Sequence, residues 1–180
     1  MKRENLGEKG WWWQETLIII MAEKLFVYGS LQSPAVLKVL LGRVPPPSPA
    51  RLNGYSRFRV PGRTYPGINE DVNGTVDGSL LSDLTVSETV LLDAFEEGEE
   101  YVKRKVEVFE EYRERVIADA YVFRNVVTAR EDWSLEEFEN FHLEGFLKLC
   151  EEFVEEEGQK ARDELRWAKG QENSTGGDGE

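Results

Sequence analysis

Leu25 Phe26 Val27 Tyr28 Gly29 Ser30 Leu31 is an apolar run that stops at a glycine and is soon followed by Ser33 and Pro34. The β-compatible residues predict a buried strand and Gly29 a tight turn. Ser33 with Pro34 predicts the N-cap and first position of a helix. Such a turn leaves consecutive backbone N–H groups without an acceptor in a sheet or helix. Aimed at one point, they hold a carboxylate or a carbonyl oxygen that is becoming an oxyanion. Taken alone, an ordinary strand-to-helix connection accounts for the same residues.

The surrounding chain has 180 residues, 40% hydrophobic and 32% charged, enough for one domain with a buried core. Its formal net charge of −13 argues against nucleic acid or an anionic membrane as partner, since both require a basic surface. A small molecule or another protein is the expected partner. The lone Cys150 cannot form an internal disulfide, and the lone His142 cannot build a zinc site of the usual kinds. Both facts suit a reducing compartment, taken as the cytoplasm, and metal-free chemistry. Catalysis then falls to a carboxylate, a hydroxyl, a lysine or the backbone.

Residues 1–22, with Trp11 Trp12 Trp13 and the apolar Leu17 to Met21, are expected to form an extension outside the domain. The apolar run is too short to span a bilayer and ends without a small-residue cleavage site. The alternative is that Leu17 to Ile20 adds β-structure or packs on the core. The domain is expected over 23–157, followed by a charged, frayed tail over 158–180.

Within the domain, Pro34 to Leu41 predicts a helix closed by Gly42, and Val44 to Pro49 an extended, proline-rich connector. Tyr55 to Val60 alternates, with Arg57 and Arg59 opposite Phe58 and Val60, and predicts a strand with one basic face. Pro61 to Ile68 is a loop punctuated by proline and glycine that carries Arg63 and Tyr65. In so acidic a chain Arg63 is either an anion ligand or a surface arginine with a solvated head. Val72 to Leu81 predicts a strand in which Gly74 and Gly78 mark a bulge or bend.

Thr85 and Glu88 have the spacing of a capping box, and the helix they open runs to Phe95 and Glu96. Glu96 falls at the border of the apolar face set by Leu92 and Phe95. Burial and the negative helix end both raise a carboxyl pKa there, toward the value a general base and acid needs near neutrality. Equally, Glu96 is one more solvated member of the run Glu96, Glu97, Glu99, Glu100. Tyr101 to Phe109 alternates, with Arg104 on the face of Val102, Val106 and Val108, so Arg104 requires an anionic partner in the protein or on a substrate. Val116 to Phe123 returns as the second arm of a hairpin. Ser134 and Glu137 form a second capping box, and Trp133 with Phe138 a hydrophobic staple. They open one last helix with an apolar face of Phe138, Phe141, His142, Phe146, Leu149 and Phe153. Several strands with only short helices between them predict an α+β fold built on a mixed or antiparallel curled sheet.

Three of these pieces, in order, carry a resemblance: Phe26 Val27 Tyr28 Gly29 Ser30 Leu31, then Gly62 Arg63 Thr64 Tyr65 Pro66 Gly67 Ile68, then Leu92 Asp93 Ala94 Phe95 Glu96 with Tyr101 and Arg104. Over Glu23 to Glu156 the chain resembles the γ-glutamylcyclotransferase-like superfamily, in its plant avirulence-induced-gene branch. The resemblance implies a small β-barrel flanked by helices, with a pocket at the barrel mouth. It implies that Tyr28, Gly29, Ser30 and Leu31 cradle a γ-glutamyl group and that Glu96 is general base and then acid. Arg63, Tyr65 and Arg104 are the further substrate-binding candidates, either arginine being placed to hold the substrate α-carboxylate. The implied reaction is attack of the substrate α-amine on its own γ-carbonyl, releasing 5-oxoproline and an amine or amino acid, with no cofactor. Glu97 stands where the family commonly has glycine. The alternatives are a non-catalytic binding or interaction module on the same barrel, and hydrolysis of a γ-glutamyl bond by water.

Overall fold

Strand β1 (Glu23–Val27) is made by the run that opens the domain, and its alternate residues serve two different cores. Phe26, and Tyr28 just beyond the strand, join a cluster drawn from all five described strands, which include β2 (Pro47–Arg59), β3 (Pro66–Leu84), β4 (Tyr101–Glu110) and β5 (Glu114–Phe123). Leu25 and Val27 face the other way, toward a layer shared with the helices. In this computed structural model, described for residues 23–96, 98, 100–128 and 130–174 with side chains through 160, the five strands close into a barrel. Their order is β1, β3, β2, β4, β5, all neighbours being antiparallel except β5 and β1, which run parallel. This is the mixed barrel of an α+β fold. The expected N-terminal extension, the residue Glu97 and the last six residues of the tail lie outside the described residues.

Strands β2 and β3 are longer than the sequence pattern suggests. Pro47 and Pro49, read as connector, already belong to β2, and β3 starts at Pro66 inside the expected loop and runs 19 residues. Long strands let a small sheet curl round. In the β2–β3 ladder the register shifts between the pairs Asn53–Thr75 and Tyr55–Glu70, so that Gly54, with φ +79, faces the extra residues Asp71 to Gly74; the bulge expected at Gly74 is there, while Gly78 pairs regularly with Ala50. Gly78 has another use: a Cβ there would meet the Val27 carbonyl oxygen at 2.4 Å, so its absence lets β3 close onto β1.

The helices pack on the outer face of β1 and its neighbours. Helix α1 (Pro34–Leu41) begins at Pro34 and ends at Gly42, whose φ of +72 is left-handed and whose N–H reaches the Lys38 carbonyl. Ser33 takes the N-cap position, but its hydroxyl makes no capping bond and is buried without a partner. Helix α2 (Val86–Glu96) has the full capping box: the Glu88 amide donates to Thr85 Oγ1 and the Thr85 amide to Glu88 Oε2, with Arg43 clamping the same carboxylate. The second box closes only halfway. The Glu137 amide donates to Ser134 Oγ, while the Glu137 carboxylate pairs with Arg59; the staple holds, with Trp133 and Phe138 rings 5.8 Å apart.

The last helix is two helices. Helix α3 (Leu135–Phe141) stops at His142, and α4 (Leu143–Ser174) restarts there, continuing well past the limit read from the sequence. The break rotates the faces, so Phe138, Phe146 and Cys150 are buried while Phe141 and Leu149 are exposed. Among the described residues no helix is long and apolar enough to cross a membrane.

Candidate active site

The turn after β1 is a single 3-10 turn, Ser30–Gln32, in which the Gln32 amide bonds the Gly29 carbonyl at 2.9 Å and the Ser33 amide the Ser30 carbonyl at 3.0 Å. The preceding amides, those of Ser30 and Leu31, begin the turn and have no acceptor within it. Gly29 permits the geometry, because a Cβ there would meet the Pro66 ring at 2.8 Å. Arg57, stacked over the Trp133 ring, holds the Tyr28 carbonyl at 2.9 Å. The arginine read as part of a basic strand face thus braces the turn from behind.

A cavity of about 400 Å³ is lined by this turn and by Arg63, Tyr65, Phe95, Glu96, Glu100 and Tyr101, among others. It sits where β1 and β5 end and β3 and β4 begin. Since β3 and β4 run opposite to β1 and β5, these are one end of the barrel. The last turn of α2 supplies Glu96, with Leu92 buried beneath it. That turn is fastened by Asp93, which accepts from the Tyr121 hydroxyl at 2.7 Å and pairs with Lys103 at 3.1 Å, tying the helix to β5 and β4.

Glu96 makes no side-chain hydrogen bond among the described residues, and burial raises its pKa from 4.5 to about 7. The tyrosines around it are committed elsewhere. Tyr28 donates to the Tyr121 carbonyl at 2.6 Å, Tyr101 to the Pro66 carbonyl at 2.9 Å, and Tyr65 to Glu100 Oε2 at 2.7 Å. Burial, with the Glu100 hydrogen bond second, pushes Tyr65 up to about 12, and burial lifts Tyr28 and Tyr101 well above the ordinary phenol range. Cys150 is pushed up to about 12, by burial first and by the Glu96 charge second, so it is an inert packing thiol.

Tyr28, Gly29, Ser30, Leu31, Arg63, Tyr65 and Glu96 line one cavity. Arg104 does not join them. It lies on the face of Val106 and Val108, but β2 stops pairing with β4 at Leu52 and Val108, so the sheet opens there and Arg104 meets solvent and Glu70 at 3.1 Å. The anionic partner it required is a surface glutamate. Lining residues that lie outside the motifs of the reading include Glu100, Tyr121 and Phe146. Tyr121 had a signal, an aromatic on a regular strand opposite Lys103. Glu100 had none, standing in an acidic run.

A sequence profile described as γ-glutamyl cyclotransferase, AIG2-like, matches residues 25–140, most of the described barrel and its helices. The chain belongs to this family. AIG2-like protein C of Arabidopsis thaliana is 40% identical over 137 residues, covering 74% of this chain and 79% of that one. AIG2-like protein D of the same plant is 35% identical over 146 residues, covering 76% and 92%. The solution structure of an Arabidopsis thaliana protein, 34% identical, superposes with a TM-score of 0.58 over 74% of this chain and 91% of its own. The AIG2-like match contains all three motifs, and with them the turn at Tyr28–Leu31, the loop with Arg63 and Tyr65, and Glu96.

Proposed function

We propose that the protein is a cyclotransferase that releases 5-oxoproline from a γ-glutamyl amine or γ-glutamyl peptide, with Glu96 as its proton shuttle. The observation that carries this reading is a carboxyl raised by burial to about 7, with no side-chain hydrogen bond among the described residues, in a cavity that is also lined by a turn whose first amides have no acceptor within it. At neutral pH such a group is ionised about half the time and can both take and return a proton.

Glu96 removes a proton from the substrate α-ammonium, and the freed amine attacks the γ-carbonyl carbon of the same molecule. A carbon–nitrogen bond forms and the carbonyl electrons move to oxygen, where the amides of Ser30 and Leu31 receive the charge. Collapse of the oxyanion breaks the bond to the departing nitrogen. Two protons pass in total from the attacking to the departing nitrogen, Glu96 carrying them, so the amine leaves as ammonium and the ring keeps one N–H. Nucleophile and electrophile are already joined, so the site's task is to fold the substrate and move protons. Arg63 and Tyr65, at the cavity mouth, are the remaining candidates for substrate contact. The substrate is a small molecule in this reading, and the partner is neither nucleic acid nor membrane.

The test is a product assay of wild type and Glu96→Gln on a panel of γ-glutamyl amines and γ-glutamyl dipeptides, with 5-oxoproline read by mass spectrometry. Wild type is expected to form 5-oxoproline and the variant to lose at least about a hundredfold in rate. Glutamate as the product would replace cyclisation by hydrolysis. Undiminished turnover by Glu96→Gln would remove Glu96 from the mechanism.

A further inference from the structure

Among the described residues that line the cavity, Arg63, Glu96 and Glu100 are the charged ones. Arg63 does not face the cavity as a lone cation. Its Nε and Nη2 both donate to Glu100 Oε1, at 3.3 and 3.1 Å, and Glu100 Oε2 takes the Tyr65 hydroxyl at 2.7 Å. The Arg63 ring contact with Tyr65, 6.0 Å to the centroid, completes a three-membered cluster at the mouth. Two groups of the 63–65 loop thus hold one carboxylate, that of the residue just before β4, on the cavity wall. With Arg63 neutralised by Glu100, the charge remaining on the lining is that of Glu96, in a chain of formal net charge −13.

From this cluster, and resting on the cyclotransferase reading, we infer that Glu100 is a specificity-determining residue that selects the charge of the leaving group. By occupying Arg63 it denies a second substrate carboxylate its counter-ion at the mouth, so the site favours γ-glutamyl compounds whose leaving group carries no acid. A γ-glutamyl peptide, which carries one more carboxylate than the corresponding amine, is disfavoured. Both side chains of the pair are partly exposed, 52% for Arg63 and 34% for Glu100, so solvent screening limits the effect to about fivefold to tenfold.

The test pairs two substrates that differ only by that carboxylate, γ-glutamyl-ethylamide and γ-glutamyl-alanine, in wild type, Glu100→Gln and Arg63→Gln. Wild type is expected to favour the ethylamide about fivefold or more in kcat/KM, chiefly through KM. Glu100→Gln releases Arg63 and is expected to bring the ratio near one. Arg63→Gln leaves Glu100 uncompensated and is expected to widen the ratio. A purely structural role for the cluster would move both variants in the same direction. The same comparison is read as binding, by calorimetry, with glutaric acid monoethylamide and N-glutaryl-alanine, which lack the α-amine and cannot cyclise. If wild type forms 5-oxoproline from neither substrate, the cyclotransferase reading fails and the calorimetric ratios alone decide the role of Glu100. A preference that is unchanged in both variants, or shifted the same way by both, or wild-type protein that binds neither acid, overturns the inference.

Discussion

Glu96→Gln is expected to stabilise the protein at alkaline pH while abolishing turnover, and the size of the gain follows from the surroundings of the carboxyl. Burial raises the group from 4.5 to about 7 in the fold, and in the unfolded chain it returns to its ordinary value. Well below 4.5 the carboxyl is neutral in both states, so wild type carries no penalty relative to glutamine. As pH rises past 4.5 the unfolded chain gives up the proton while the fold keeps it, and stability falls until the folded group ionises near 7. Above that the difference is constant. At about 1.36 kcal/mol per pH unit the full cost is about 3 kcal/mol, and water in the cavity mouth reduces the expected gain to between about 1 and 3 kcal/mol. Urea titrations of both proteins at about pH 5 and about pH 8.5 read this directly, because protonation elsewhere in the chain is common to the two and cancels. About a quarter of the cost is already present at about pH 5, so with a slope of about 2 kcal/mol per molar the midpoint of the variant should move up relative to wild type by roughly 0.4 to 1.1 M between the two conditions. A difference that does not change with pH would mean that Glu96 ionises as it does in water, and the poised-carboxyl argument would go with it.

In the proposed mechanism the ionised form of Glu96 is the base, so kcat/KM for 5-oxoproline release is expected to rise with pH through about 7, and a flat profile from about pH 5 to 8 would contradict the assignment. Gly29→Ala drives a methyl to within 2.8 Å of the Pro66 ring and is expected to cost about 1–3 kcal/mol in urea unfolding, with a further loss of turnover as the turn is displaced. Unchanged stability would show that the Pro66 loop yields freely. Tyr121→Phe removes the hydroxyl bond to Asp93 and leaves the Tyr121 carbonyl to accept from Tyr28; about 1 kcal/mol of stability should be lost, and circular dichroism should keep the barrel signature. A far larger loss would assign the ring, and not its hydroxyl, to the fastening of α2.

The parts of the fold that could be read from sequence are those whose cause is local. The strand–turn–helix at Leu25 to Leu41, the Thr85–Glu88 box and the Tyr101–Phe123 hairpin each follow from residues within a few positions of one another, and each is present. What could not be read depends on distant partners. Ser33 has the spacing of a cap, yet its hydroxyl is buried without a bond. Glu137 was expected to close its own helix, and Arg59, 78 positions away, takes its carboxylate. The side of β4 on which Arg104 lies was correctly read from alternation, but alternation cannot tell where β2 stops pairing and the barrel opens to solvent. Glu100 shows the same limit within the site. Four glutamates in five positions look alike in sequence, and only the approach of the 63–65 loop separates Glu100, held by Arg63 and Tyr65, from Glu96, which has no side-chain partner among the described residues.

That separation is what makes a shuttle chemically feasible in a cavity with so many hydroxyls. A phenol that donated to Glu96 would stabilise the carboxylate and pull its pKa back toward the ordinary range, cancelling the effect of burial. A hydroxyl has one proton to donate, and the Tyr28, Tyr65, Tyr101 and Tyr121 protons go to the Tyr121 carbonyl, Glu100, the Pro66 carbonyl and Asp93. Two of these acceptors are backbone carbonyls fixed by the barrel itself, and the other two are carboxylates already paired with Arg63 and Lys103. The fold therefore supplies every nearby phenol with a better acceptor than Glu96. That Glu96 has no phenol partner among the described residues is a consequence of that competition, and its basicity depends on where those protons are spent.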